Sequence, residues 1–177
     1  MMGSWPHLAG RFIGAHRPGG PPPEERAWVA EVLTPGEFAL WERQPGQDQR
    51  HTVGVARRVE VMLAGTPHAG DTRWMACALL HDIGKVAAGL GIYGRVLATL
   101  VAKATAGRAT AWEELRGLRR RIALYLRHGE IGADMVRMAG GREEVAVWAA
   151  AHHHRDVLDP MALPGPVVMA LAESDPC

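Results

Sequence analysis

The stretch Cys77-Ala-Leu-Leu-His81-Asp82-Ile-Gly-Lys85 carries the strongest chemical signal in the chain. An unbroken apolar lead runs into an adjacent imidazole and carboxylate, with a glycine and a lysine just behind. Burying a carboxylate costs on the order of several kcal/mol unless it is paired or bound to a metal, so Asp82 calls for a cationic partner. A divalent cation is the obvious candidate. Imidazoles that could join it are plentiful, with nine histidines in the chain, several of them placed where a ligand would be useful. Divalent-metal sites need such groups to converge from separate elements, with positions left open for water and substrate.

Helices have to do the gathering. Thr34-Pro-Gly-Glu37 has the residues of a capping box, with Phe38, Leu40 and Trp41 behind it. Asp48 suits the N-cap of the next helix, whose Val55, Val59, Met62 and Leu63 share one side. His51 lies one turn ahead of Val55 on that side and points inward. A single inward histidine is ordinarily a hydrogen-bonded core residue. Asp71 caps a helix over 72–80 that is almost wholly apolar, the central buried one. A helix is expected from about Tyr93 to Ala106. Thr110-Ala-Trp-Glu113 offers a second capping box opening a basic helix to Leu126. Shorter helices follow around His128, over 143–153, and after Pro164-Gly-Pro166. Adjacent helical side chains point about 100° apart, so three consecutive histidines cannot face one ion equally, though two at a frayed helix end can.

No stretch alternates like a strand, so the fold is expected to be all-α, a bundle of seven to nine helices around a central pocket. The Pro/Gly-rich run His16–Pro23 sets off residues 1–22 as a flexible tail, leaving 23–177 as a single domain. Acids and bases nearly balance at 19 against 20, which favours neither a stable nucleic-acid complex nor a membrane-surface protein. From Lys103 to Arg127, seven basic residues face two acids, either a solvated helix face or a collar that attracts an anion. Two cysteines, Cys77 and Cys177, give no disulfide framework, and no signal-peptide core or membrane span stands out, so a cytoplasmic location is expected.

The segment Leu79-Leu-His-Asp-Ile-Gly-Lys85 resembles the signature of the HD-domain metal-dependent phosphohydrolases, and the resemblance extends over roughly residues 45–175. Asp48-Gln-Arg-His51-Thr-Val is similar to the family's first helix. His128-Gly-Glu-Ile-Gly132 and His152-His153 match the H-x-x-x-G motif and histidine pair of the HD-GYP branch and related binuclear enzymes. By that resemblance, His51, His81, Asp82 and Asp175 hold one divalent ion. Asp82 bridges to a second, held by His128, His152 and His153. The ions implied are iron, manganese or another first-row metal. Glu173 is the alternative to Asp175. Asp82 and Lys85 are implied at the reacting centre, and Lys85 and Arg155 against the substrate.

The implied activity is hydrolysis of a phosphomonoester or phosphodiester of a nucleotide or related small molecule by metal-activated water. The alternatives are a non-catalytic HD module that binds a nucleotide or a partner, and a di-iron HD oxygenase. Departures from the branch bear on substrate. The Gly-Tyr-Pro signature is replaced by Asp156-Val-Leu-Asp-Pro160, which argues against cyclic di-GMP. His154 stands where the branch has glutamate, and the span from Asp82 to His128 is longer.

Overall fold

Local signals at helix starts set the first elements. The computed structural model describes residues 19–154 and 162–175. Pro23–Val32 forms α1 and Pro35–Trp41 forms α2, each with proline in its first turn. At α2 the capping box is made: the Thr34 hydroxyl accepts from the Glu37 amide and the Glu37 carboxylate accepts from the Thr34 amide. Gly46–Leu63 is α3, Thr72–Leu80 is α4, capped by Asp71, and Lys85–Ala88 is the four-residue α5. Ile92–Ala104 is α6, Arg108–Glu114 a 3-10 turn, and Gly117–Leu126 is α7. His128–Met138 (α8), Glu143–Ala151 (α9) and Gly165–Ser174 (α10) complete the described residues, which hold ten α-helices and no strand.

The fold is all-α, as the sequence implies. The helix count exceeds the expected range because the HD turn continues into α5. The basic helix also starts later than expected. The Thr110 hydroxyl donates to the Gly107 carbonyl rather than capping, so 108–114 stays a 3-10 turn and α7 begins at Gly117, whose φ is 64°. Asp48 does not cap α3 either. It sits inside the first turn and grips Arg95 of α6 with both oxygens, at 2.6 and 2.7 Å.

Every residue of α4 from Trp74 to Leu80 is buried, and α1, α2, α3, α9 and α10 all pack on it. It is the axle of the larger core, which also takes in Val55, Val59, Val136, Val145 and Leu171. A smaller core of Ala88, Leu90, Ala98, Ala109 and Ile122 lies beneath α5, α6, the 3-10 turn and α7. Among the described residues, no single helix is long and apolar enough to cross a membrane.

Glu37 locks the bundle's end. It is fully buried, and its carboxylate accepts from the Arg142 backbone N–H at 2.9 Å and from the Arg142 guanidinium at 3.0 and 2.5 Å. Arg142 also donates to the Val32 carbonyl and the Thr72 hydroxyl, tying α1, α2, α4 and the start of α9 together. Burial opposes ionisation of Glu37, but the Arg142 and Thr34 bonds outweigh it and hold the carboxyl below its ordinary value. Removing one partner of a buried pair costs about 3–5 kcal/mol, so Glu37→Ala should lower the urea-unfolding free energy by that amount at pH 7. Because the folded pKa is depressed, the stabilisation is present above pH about 4.5 and is lost as pH falls through the folded value, so the difference between wild type and variant should shrink in acid.

Candidate metal centre

Three histidines sit just where helices end, and the same local bond aims each of them. His81 follows the last residue of α4 and brings its Nδ1 within 2.8 Å of the Ala78 carbonyl. His152 follows α9 and does the same with Ala149 at 2.8 Å. His128, at the α7–α8 junction, reaches the Tyr125 carbonyl at 2.6 Å. Carbonyls in a helix's last turn have no partner within the helix, so an imidazole there donates Nδ1–H to the i−3 carbonyl. That bond leaves Nε2 bare and fixes its direction.

Those bare nitrogens meet around Asp82. Oδ1 of Asp82 lies 3.3 Å from Nε2 of His128 and 3.5 Å from Nε2 of His152. Oδ2 lies 3.4 Å from Nε2 of His81 and also pairs with the Lys85 ammonium. Nε2 of His81 is in turn 3.2 Å from Asp175, whose other oxygen is 3.4 Å from Nε2 of His51. Two donor sets result: Asp82, His128, His152 and His153, and His51, His81 and Asp175, each with its ligand atoms within 4.8 Å of one another. The carboxylate of Asp82 spans the two.

All seven side chains expected at the centre are therefore in one place, contributed by α3, the α4–α5 turn, α8 and the ends of α9 and α10. Glu173 is exposed and turned away, so Asp175 is the carboxylate that reaches the centre. Arg155 lies outside the described residues.

The donor set fits a divalent ion. Nε2 of His51, His81, His128 and His152 and Oδ1 of Asp82 are all buried with no hydrogen-bond partner. Orphaned buried acceptors cost about 1–3 kcal/mol each, and a divalent cation would satisfy several of these converging lone pairs at once. The charge environment differs between the sets. Burial opposes ionisation of Asp82, yet the Lys85 and His81 charges hold its carboxyl well below the usual range. Burial disfavours protonated His81, but Asp82 and Asp175 overcome it and raise the imidazole's pKa. In the other set burial wins: it lowers His152, and together with the neighbouring imidazoles it pulls His153 down to about 3, keeping both neutral as ligands must be.

Support comes from residues that sequence reasoning did not single out. Arg58 of α3 donates to the Ser174 carbonyl at 2.9 and 2.8 Å, which fixes the end of α10 and so the place of Asp175. The Gln44 side chain donates to the Leu79 carbonyl at 3.0 Å at the end of α4, and the Thr52 hydroxyl packs beside it at 3.4 Å. The Tyr125 ring stacks on His128 with centroids 5.6 Å apart. Thr52 adjoins His51 in the sequence, a signal that could have found it; Gln44 and Arg58 had no local signal.

An open cleft of about 490 Å³ borders the second set, lined by His128, His153, His154, Arg127, Glu113 and Thr110 among others. Arg127 is the one basic side chain from the Lys103–Arg127 stretch in that wall, and it is paired with Glu113 and Glu130. An all-helical domain that gathers histidines and aspartates around an HD pair defines the class. The HD domain family model matches residues 49–174, and the chain belongs to that family, whose members bind divalent metals and are generally hydrolases. No curated protein and no solved structure matches the chain.

Close backbone packing makes the convergence possible. A Cβ on Gly84 would collide with the His128 carbonyl and lie 2.7 Å from the Gly132 amide, so the HD turn and α8 touch through bare glycines. Gly84→Ala should force them apart and cost about 1–3 kcal/mol, or more if the backbone cannot shift. Chemical denaturation followed by circular dichroism checks this, and an unchanged midpoint would contradict the close approach.

Proposed function

We propose that this chain is a metal-dependent phosphohydrolase that cleaves a phosphomonoester or phosphodiester of a nucleotide or related small phosphorylated molecule. The observation that carries it is the set of bare, buried acceptors on both sides of Asp82. His51, His81 and Asp175 would hold one divalent ion and His128, His152 and His153 the other, with one oxygen of Asp82 offered to each. Bound there, two first-row ions such as iron or manganese supply a water of lowered pKa and neutralise charge on the phosphoryl group.

The protein's own side chains do the remaining work. The Ala78, Tyr125 and Ala149 carbonyls keep a proton on each Nδ1 and so keep Nε2 free to ligate. The cleft beside His153 admits the substrate with its phosphate toward Asp82. Lys85, which pairs with Asp82 and lies 5.9 Å from the centre of the Tyr125 ring, offers its ammonium to a nonbridging phosphate oxygen. Complete donor sets on both sides of Asp82 favour an enzyme over a non-catalytic nucleotide- or partner-binding module, which needs no such pair. Arg155 remains a proposed substrate contact.

The test is metal analysis of the purified protein followed by a panel of phosphomonoesters, phosphodiesters and nucleotides with manganese or ferrous ion. Wild type should turn over at least one class, and His81→Ala and Asp82→Ala should lose both metal and turnover. Nucleotide binding without turnover under every divalent ion would leave the binding module instead, and oxygen-dependent product formation would leave the oxygenase. Lys85→Ala should retain its metal and raise KM more than it lowers kcat, as expected for a phosphate contact. Metal lost in that variant would show that Lys85 supports the centre rather than the substrate.

A further inference from the structure

The last turn of α7 supplies more than a carbonyl to the centre. Tyr125 lies on it, three residues ahead of His128, and its carbonyl takes the Nδ1 proton of that imidazole at 2.6 Å. Its ring then stacks on the same imidazole, with centroids 5.6 Å apart and planes 29° from parallel. One residue therefore fixes both the direction in which Nε2 of His128 points and the tilt of its ring.

The Tyr125 ring has a second neighbour. Helices α5 and α7 pack together, which brings Lys85, the first residue of α5, to Tyr125 near the end of α7. The ammonium stands over that ring, 5.9 Å from its centre, while also pairing with Asp82. An aromatic face attracts a cation at this range, and it gives a lysine on a flexible stem a second hold on one position. The ring itself is anchored on the smaller core, against which Tyr125 packs beside Leu124 and Leu126. Leu126, Arg127 and His128 line the cleft and Tyr125 does not, so it meets the centre from behind rather than touching a bound molecule.

We propose that Tyr125 is a positioning residue whose ring holds the Lys85 ammonium and the His128 imidazole in one arrangement, so that the phosphate contact and the second donor set share a support. This rests on the phosphohydrolase reading above, in which Lys85 meets the phosphate. The backbone carbonyl of residue 125 survives any substitution there, so changing the side chain isolates the ring.

Binding of methylphosphonate, whose carbon–phosphorus bond resists hydrolysis, tests this by calorimetry on the full chain at saturating manganese. Tyr125→Phe, which keeps the ring, should bind the probe within about twofold of wild type, and Tyr125→Leu about threefold more weakly. Tyr125→Leu should add nothing on a Lys85→Ala background, because at saturating metal the ring reaches the probe only through the ammonium. In a separate manganese titration, Tyr125→Leu should weaken binding at least about threefold through His128, and Tyr125→Phe should not. Circular dichroism checks that each variant is folded, with Tyr125→Met taking the place of Tyr125→Leu should that one unfold. Losses that add in the double variant overturn the proposal, as does Tyr125→Leu behaving like wild type in both titrations. Equal losses in Tyr125→Phe and Tyr125→Leu overturn it too, in favour of the hydroxyl. Wild type that binds neither manganese nor methylphosphonate removes the phosphohydrolase reading and this proposal with it, whereas the other outcomes leave that reading standing.

Discussion

A carboxylate at the centre of a protein is stable only if something carries the opposite charge to each of its oxygens. Asp82 is buried against His81, His128 and His152, and its Oδ1 has no hydrogen-bond donor. Lys85 balances one oxygen, and the raised pKa of His81 shows that its imidazole is drawn toward protonation by the two aspartates around it. The other oxygen faces Nε2 of His128 and of His152, and burial holds His152 toward neutrality, so on that side a cation from outside the chain would supply the compensating charge. Placing Asp82 at the shared edge of two donor sets makes one buried charge serve both.

The helices are arranged to make this possible. Each of three histidines lies just past a helix end, where an unpaired carbonyl orients the ring, so the centre is assembled from chain ends rather than from the faces of long helices. Such ends would be the least defined parts of isolated helices. Here they are held by the packing of α4 within five other helices, by the glycine contact between the HD turn and α8, and by the Arg58 clamp on α10. The Glu37–Arg142 lock at the far end of the bundle keeps the same helices in register without touching the centre.

Much of this was legible in the sequence. The apolar run before His81-Asp82 identified the central helix, because an all-apolar segment of that length has to be buried. The inward direction of His51 followed from its place one turn from Val55, and its role as a donor, like that of the donors on α8, α9 and α10, from the family resemblance. What was not legible depended on tertiary partners. Asp48 has every local property of an N-cap, yet a guanidinium 47 residues away claims its carboxylate. Thr110 and Glu113 have the spacing of a capping box, but Glu113 turns to Arg127 and the turn stays 3-10. The pairing of Lys85 with Asp82, three residues before it, was likewise not anticipated. The basic stretch from Lys103 to Arg127 read as a solvated helix face or a collar, and Arg127, its basic side chain in the cleft wall, is matched by two glutamates.

The central claim is that the two donor sets around Asp82 each hold a divalent ion. Anomalous diffraction from crystals of the protein grown with manganese measures this directly. Two peaks are predicted, one on each side of the Asp82 carboxylate, the first bounded by His51, His81 and Asp175 and the second by His128, His152 and His153. A map with no peak within coordination distance of Asp82, at saturating manganese and neutral pH, would contradict it.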